Sequence, residues 1–291
     1  MTPNIIILFS VFAMILWGIE EFFLKQAITG IKSITTYFIN TITGVVLHVL
    51  IVIFLFDFAV TRISGFDLTL ALFASLLAFL GYFCFYLALE KQNLSLISSL
   101  DESWILISIF IAVLFFGERL GVLSIVSILA VLVGAFFISV NNLSSFKKIR
   151  FISGSGYELM SVFFIGLTIP VEKILVNRVG EANTLFYLAV FVIPIVFLAK
   201  LLRRDKFIKP TKSLLKISIY SGVADGLAFF FYLLAIKSAN VSIVSPIVAS
   251  NVIVTVFLAK IFLKEKMSAK EIFGAIIILF GVIILSTQYN F

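Results

Sequence analysis

Residues 93–120 read NLSLISSLDESWILISIFIAVLFFGERL, and residues 240–267 read NVSIVSPIVASNVIVTVFLAKIFLKEKM. One constant shift along the chain superposes an Asn, two Ser and a Glu of the two stretches without any gap. Each stretch contains an apolar run of roughly 20 residues, the length that a helix needs to cross the hydrocarbon of a bilayer. The pair therefore predicts a membrane protein with an internal repeat.

The composition of the whole chain agrees with this interpretation. Of its 291 residues, 62% are hydrophobic and only 13% are charged, whereas a soluble domain is about half apolar and a quarter charged. The 34 Phe residues suit helices whose lipid surroundings are as apolar as the protein interior. The first apolar run has spanning length and lacks the features of a cleaved signal peptide, so we expect a retained helix.

Ten apolar segments meet the length criterion for a transmembrane helix. They run approximately from Ile5 to Leu24, Ser33 to Phe56, Leu68 to Leu89, Ser95 to Phe116, Leu120 to Val140, Gly156 to Val176, Thr184 to Leu202, Leu214 to Ile236, Val241 to Phe262, and Ala269 to Ser286. Pro170 and Pro246 interrupt the hydrogen bonding of helices 6 and 9, and we expect either a gating hinge or a packing kink at each. The fold class predicted is an all-α integral membrane protein.

The repeat extends over both halves of the chain. With one residue inserted, the shift also superposes Gly18 on Gly166 and Lys25 on Lys173. We predict one five-helix repeat at residues 1–143 and a second at residues 144–291. Because five is an odd number, the second copy enters the membrane from the opposite side, and transporters built from such inverted repeats bind their substrate near the repeat interface.

Several motifs carry a family resemblance. They are Trp17-Gly18 in the first helix, the Gly-Glu-Arg turn at 117–119, the Lys-Glu-Lys turn at 264–266, and the glycines Gly134 and Gly281 of the final helix of each half. This pattern resembles the EamA-like families of the drug/metabolite transporter superfamily. The resemblance implies a central cavity walled mainly by helices 1, 3, 4, 6, 8 and 9, and transport of amino acids, other metabolites or nucleotide sugars.

Asp225 is the strongest candidate for a functional residue. A charged side chain within hydrocarbon is costly, so an ionisable residue there is a functional hypothesis by default. Asp225 lies near the middle of helix 8, between Gly222 and Gly226, whose spacing permits close approach of another helix. A hydrogen bond made for packing alone is the alternative, but an amide or hydroxyl would serve packing at a smaller desolvation cost.

Helix 4 contains the acidic pair Asp101 and Glu102. Adjacent helical residues point about 100° apart, so we expect that the two carboxyl groups do not face one pocket. Asp101 and Trp104 share a face and could offer a charge and a stacking wall to a cationic solute; the alternative is an interfacial Trp with the Asp reaching lipid headgroups. The second half has no acid at these positions, and Asn251 stands where Trp104 does.

Helix 1 contains a second acidic pair, Glu20 and Glu21, just after Trp17. Glu21 and Lys25 are four residues apart, so a simple ion pair near the membrane surface is the alternative to a functional role. If helix 1 extends to Ala27, both acids are buried and the functional interpretation gains weight. The sequence leaves these alternatives open.

Tyrosines supply further candidates, because each hydroxyl needs a partner in hydrocarbon. Tyr82 and Tyr86 share a face of helix 3, and Tyr232 shares the face of Asp225 on helix 8. The full set of predicted substrate-binding or proton-coupling residues is Asp225, Asp101, Glu102, Glu21, Glu20, Trp17, Trp104, Tyr82, Tyr86, Tyr232 and Asn251.

Other polar residues have structural interpretations. We expect Glu158 at the membrane interface, and Glu118 and Glu265 at the positive ends of the helices that follow them. His48 has no Cys, His or carboxylate at a ligand spacing, so we predict a packing role for it and no metal or other cofactor. The single cysteine, Cys84, is expected to pack within its apolar run.

The function predicted is secondary active transport of a small polar metabolite, such as an amino acid, by alternating access. Proton coupling is compatible with this, because burial disfavours the charged form of a carboxyl group. A flippase or exchanger of lipid-linked sugars or phosphorylated metabolites and a non-transporting sensor or assembly partner are the alternatives. No Ser-His-Asp set or phosphate loop points to an enzyme. The expected partners are a small-molecule substrate and plasma-membrane lipid, not nucleic acid, and the chain is expected to be a monomer or homodimer.

The distribution of basic residues predicts the orientation of the chain. Most Lys and Arg residues lie in the loops after the odd-numbered helices, chiefly between Lys200 and Lys216, and cationic loops stay cytoplasmic. Both termini are then outside the cytoplasm, whereas the family resemblance implies that both are inside. A reporter that is active only in the cytoplasm, fused after Phe291, should be inactive; an active reporter would favour the orientation that the resemblance implies.

Overall fold

The structure, a computed structural model, describes residues 2–92, 94–139, 155–203, 208–263 and 269–288. Within these ranges the regular elements are all α-helices, and several are long and apolar enough to cross a membrane. The predicted all-α membrane fold is therefore confirmed, and the arrangement is compatible with ten spans.

The helices follow the chain order α1 to α10. Their bounds are α1 Pro3–Leu55, α2 Gly65–Lys91, α3 Leu94–Asp101, α4 Trp104–Phe116, α5 Val122–Ser139, α6 Ser155–Arg203, α7 Lys212–Ser238, α8 Val241–Val248, α9 Asn251–Leu263 and α10 Ala269–Gln288. The elements α1 and α6 each contain two predicted spans. In contrast, the pair α3 and α4 corresponds to one predicted span, and the pair α8 and α9 corresponds to another.

A single residue reverses the chain within each of the long elements α1 and α6. Lys32 has φ 64° and ψ 165°, and Gly180 has φ 80° and ψ 170°. After each reversal a threonine donates back to the carbonyl oxygen of that residue, Thr36 at 2.8 Å and Thr184 at 2.7 Å. The two threonines are equivalent in the sequence repeat, so the two halves make the same turn.

The predicted helix 4 is interrupted, contrary to the expectation of a continuous span, and the predicted helix 9 is interrupted shortly after Pro246, where a break in hydrogen bonding was expected. The interruptions lie at Glu102 and Ser103 in the first half and at Ala249 and Ser250 in the second. These positions are equivalent in the repeat. Since Pro246 precedes only the second interruption, proline is not their common cause.

Pro170, in contrast, does not end its helix, because α6 continues through it to Gly180. A proline has no N–H, so the carbonyl oxygen of Gly166, one turn earlier, loses its helical donor. The hydroxyl of Ser108 on α4 donates to this oxygen at 3.0 Å. A neighbouring helix thus satisfies the carbonyl that the proline frees.

The packing of the helices is also symmetric between the halves. The main partners are α1 with α7, α2 with α6, and α5 with α10. Gly18 lies against the carbonyl oxygen of Asn251, and Gly166 lies against that of Trp104; a Cβ at either glycine would come within about 3.0 Å of it. Both contacts join equivalent residues, and glycine is required because the backbones approach so closely.

Two half-buried lysines bind the carbonyl ends of helices. The Nζ of Lys25 donates to the carbonyl oxygens of Leu89 at 2.5 Å and Gln92 at 2.7 Å, where α2 ends. In the second half, Lys173 donates to the carbonyl oxygen of Ala239 at 2.7 Å, where α7 ends. A cation at a helix C-terminus offsets its unsatisfied carbonyl groups, which explains why the repeat keeps a lysine at both positions.

Glu118 caps a helix, although not the one predicted. Its carboxylate accepts hydrogen bonds from the backbone N–H groups of Val241 at 2.8 Å and Ser242 at 2.9 Å, the first residues of α8. The expectation that it caps the helix that follows it, α5, is wrong, because the α4–α5 turn lies against the start of α8. Glu265 lies outside the described residues.

The reversal at residue 32 leads to a stability prediction. Its backbone conformation is one that essentially only glycine adopts without strain. Replacing Lys32→Gly should therefore raise the thermal unfolding temperature of the detergent-purified protein, with a gain of about 1 kcal/mol. The substitution Gly180→Ala at the equivalent turn should lower that temperature. If neither variant changes the unfolding temperature, the backbone at these turns is not strained.

The lysine at the end of α2 leads to a second prediction. Met has a side chain of similar length without the charged donors, so Lys25→Met leaves the carbonyl groups of Leu89 and Gln92 unsatisfied. Hydrogen bonds to charged groups contribute about 2 kcal/mol, and the unfolding temperature should fall accordingly. The exposed Lys216 provides the matched control, since Lys216→Met should leave the unfolding temperature unchanged. Equal stability of the two variants would contradict the capping role.

Candidate functional site

Two cavities with acidic residues in a mainly apolar lining lie between the described helices. The smaller, of about 50 Å³, is called the tryptophan cavity because Trp17 and Trp104 line it. The larger, of about 120 Å³, is called the tyrosine cavity because Tyr37 and Tyr86 line it. Tyr82 lines both cavities, so they are neighbours, and neither has a lining residue from α5 or α10.

The interruption between α3 and α4 brings two acids into the tryptophan cavity. Asp101 is the last residue of α3, and Glu102 lies in the turn before α4. Both line the cavity, so the expectation that adjacent carboxyl groups would face different directions is wrong. That expectation assumed a regular helix, whereas the chain leaves the helix at this point. Trp104, at the start of α4, completes this wall of the cavity.

Behind this wall, Asp101 is held by residues of α6. The hydroxyl of Ser161 donates to its carboxylate at 3.2 Å, and the carboxyl group of Glu158 lies next to it. Glu158 is only 1% exposed. The α3–α4 region covers the first turn of α6 and so buries Glu158, while the interfacial position expected for this residue stays a prediction.

Glu21 forms the opposite wall of the tryptophan cavity. It accepts hydrogen bonds from the amide of Asn251 at 2.8 Å and from the hydroxyl of Thr255 at 2.9 Å. Lys25 instead binds carbonyl oxygens of α2 and its C-terminal end, so the expected alternative of a simple Glu21–Lys25 pair is not what the structure shows. Helix α1 continues past Ala27, and Glu21 is buried, with 4% exposure.

A hydrogen bond between Trp17 and Asp225 stands at the wall between the two cavities. The indole Nε1 of Trp17 donates to the Oδ1 of Asp225 at 3.1 Å. Trp17 lines the tryptophan cavity, and Asp225 lines the tyrosine cavity. The bond also joins α1 to α7. Tyr232 packs against Trp17 with ring centroids 5.5 Å apart, but it lines neither cavity.

Glu20 belongs to the tyrosine cavity. The amide of Asn40 lies 3.4 Å from its carboxylate and 2.9 Å from the hydroxyl of Ser221, and that hydroxyl also donates to Glu20 at 3.4 Å. Asn40 belongs to the second half of α1. Residues of the predicted helices 2 and 7 therefore line this cavity, in addition to the helices implied by the resemblance.

The sequence interpretation missed Glu172, another acid of the tyrosine cavity. It lies on α6 with 4% exposure, next to the hydroxyl of Tyr232. Glu172 lies four residues before the predicted end of helix 6, and an ionisable residue inside a predicted span could have been recognised from the sequence as a candidate. The neighbouring Lys173 binds carbonyl groups at the end of α7.

The structure divides the predicted residues between the cavities. The tryptophan cavity has Trp17, Glu21, Tyr82, Asp101, Glu102, Trp104 and Asn251. The tyrosine cavity has Glu20, Tyr82, Tyr86 and Asp225. His48 also lines the tyrosine cavity, where its Nε2 lies 3.0 Å from the carbonyl oxygen of Gly226. Among the described residues no cluster of His, Cys, Asp or Glu has an arrangement that could hold a metal ion.

The cavities are rich in acceptors. Each has carboxyl groups from at least two helices, set among aromatic rings. Such a site can bind protons or a positively charged group, because both neutralise carboxylates that are shielded from water.

Comparison with known proteins gives a consistent result. The model of the EamA-like transporter family matches residues 4–140 and again residues 152–287. An uncharacterized transporter of Archaeoglobus fulgidus is 24% identical over 281 residues, which cover 96% of this chain and 97% of that protein. One solved structure, described only as a crystal structure of a protein, superposes with a TM-score of 0.80 at 14% identity and covers 97% of this chain and 96% of its own. That likeness shows the fold alone.

The resemblance inferred from the motifs is thus confirmed by a match over nearly the whole chain. With its apolar helices, the chain is a multi-pass membrane protein, and it belongs to the EamA-like transporter family.

Proposed function

We propose that the protein is a secondary active transporter that moves a small polar metabolite, such as an amino acid, across the plasma membrane by alternating access. The observation that carries this proposal is the Trp17–Asp225 hydrogen bond between two carboxyl-lined cavities. A transporter needs a barrier between two compartments, and this bond joins the two helices at that barrier.

Burial of these carboxyl groups supports a functional role over a packing role. Glu20, Glu21, Asp101, Glu102 and Glu172 are all less than a tenth exposed. Neutral polar side chains could join the same helices without the desolvation that a carboxylate suffers. In membrane proteins, ionisable residues that face the interior typically mark substrate or proton pathways.

Asp225 is proposed as the residue that couples protons to transport. As a carboxylate it accepts a charge-assisted hydrogen bond from Trp17, and such bonds are stronger than neutral ones. Protonation weakens this bond and releases Trp17 from α7. Glu20 lines the same cavity and can exchange the proton with Asp225. The state of one carboxyl group thereby controls the wall between the cavities.

The moving units proposed are the two halves, residues 1–143 and 144–291. The close glycine contacts at Gly18 and Gly166 each join a helix of one half to a helix of the other. Smooth backbone contacts of this kind allow helices to slide or rock without unpacking large side chains.

The test is transport into proteoliposomes that contain a trapped pH-sensitive dye. Amino acids, nucleosides and sugar phosphates are supplied in turn, and solute-dependent proton movement is recorded. We expect a response to at least one solute, and Asp225→Asn should reduce its rate at least about tenfold and remove its dependence on the pH gradient.

The matched control is Glu181→Gln, because Glu181 pairs with Lys237 and lines neither cavity. This variant should transport as the unmodified protein does. If Asp225→Asn keeps both the rate and the pH dependence, the central role of the carboxyl group is wrong. If no solute of these classes moves, the transport proposal itself fails for them.

A further inference from the structure

We propose that the tryptophan cavity is the binding site for a protonated amine, so that the transported solute is a small organic ammonium compound. This inference rests on the proposed transport function for its biological meaning. The binding site itself is argued from the residues of the cavity alone.

The polar groups of the tryptophan cavity are mostly acceptors. Glu21, Asp101 and Glu102 present carboxyl groups. Asn251, another lining residue, donates its amide N–H to Glu21, and this bond leaves its Oδ1 as a further acceptor. Among the described residues this Oδ1 and the Oε2 of Glu102 are buried without any hydrogen-bond partner. Unsatisfied buried acceptors are unfavourable, so the cavity is complementary to a ligand that donates several hydrogen bonds.

The lining residues do not include a Lys or Arg that could supply those donors. The nearest candidates along the chain are Lys25, one turn beyond Glu21 on α1, and Lys173, one turn beyond Ile169 on α6. Carbonyl oxygens at the ends of α2 and α7 already hold the Nζ atoms of these two lysines. The lining residues therefore supply no positive charge to balance the carboxylates, and a bound ammonium group would supply one.

The walls indicate which kind of cation fits. The aromatic rings of Trp17, Tyr82, Phe85 and Trp104 surround the carboxyl groups. A cation is attracted to the face of an aromatic ring, and sites for organic ammonium groups combine such rings with carboxylates. An ammonium group offers three donors, which suits a cavity with several acceptors. The volume of about 50 Å³ suits an ammonium head with a short carbon chain.

The chain contains a built-in reporter for this site. It has two tryptophans, and both line the tryptophan cavity. Intrinsic tryptophan fluorescence of the purified full-length protein therefore reports on this cavity, and the variant Trp17→Phe restricts the signal to Trp104, which lines only this cavity. Four probes are titrated separately: n-butylammonium, 1-butanol, butyrate and sodium chloride.

We expect a saturable fluorescence change with n-butylammonium and none with the other three. An equal response to 1-butanol would show that the cavity binds apolar chains, and an equal response to sodium would show an inorganic cation site. Either result, or the absence of any response to n-butylammonium, would overturn the proposal. This comparison uses the unmodified protein and does not depend on the folding of a variant.

Two variants locate the charge. Glu102→Gln should weaken n-butylammonium binding about tenfold, because a charge-assisted hydrogen bond is lost. Without ligand this variant should be more stable to heat, since its amide donates to neighbouring acceptors. Glu181→Gln removes a carboxyl group that pairs with Lys237 and lines neither cavity, and it should change the affinity by less than about twofold. Unchanged affinity in Glu102→Gln would contradict the assignment.

Thermal unfolding gives an independent readout, since a ligand that binds only the folded state raises the unfolding temperature. The same probe is then added to the proteoliposome assay, in which it should inhibit transport of the solute. Binding without any transport would leave the ammonium site standing and refute the transporter. If the protein transports a neutral or anionic solute and n-butylammonium does not inhibit this transport, the transporter function stands and the ammonium site is refuted.

Discussion

The structure depends on one constraint, which is that hydrocarbon contains no water to satisfy an unpaired backbone N–H or C=O group. At four places where a helix of this protein ends or contains a proline, a side chain from another element supplies the partner. Lys25 and Lys173 bind the carbonyl ends of α2 and α7. Glu118 receives the first N–H groups of α8, and Ser108 serves the carbonyl that Pro170 frees. Charged residues inside the bundle are therefore of two kinds. The first kind, to which Lys25, Lys173 and Glu118 belong, satisfies backbone groups.

The second kind of charged residue lines the cavities. The lack of water in hydrocarbon also bears on where these cavities lie, because they adjoin the interrupted helices. The interruptions after Asp101 and after Val248 stand at equivalent positions of the two halves, and residues next to both line the tryptophan cavity. Irregular backbone at membrane depth is tolerated where it is buried in protein or lines a cavity. The first interruption places two carboxyl groups there, and the second places Asn251. The scaffold is symmetric, whereas the chemistry of the site is not.

Much of this arrangement could be predicted from the sequence. Apolar length located the spans, and the constant shift identified Gly18 with Gly166 and Lys25 with Lys173, which make equivalent contacts. The acidic pairs and Asp225 could be chosen because an ionisable residue in an apolar run is rare. The division into two cavities could not be predicted from the sequence, since Glu20 and Glu21 are adjacent in the chain but line different cavities. Glu172 was missed although it lies within a predicted span, and only the fold places it in the tyrosine cavity beside Tyr232.

The sequence by itself determined the class of the protein, its all-helical membrane fold and its repeated halves, because these follow from composition and spacing along one chain. Only the tertiary structure decided which polar groups serve the backbone and which face open space. Lys25 and Glu21 show the difference, since they are a natural ion pair by spacing and have separate partners in the fold. Hydrogen bonds in a dry interior are made with whatever group packing brings within about 3 Å, and that group belongs to another helix.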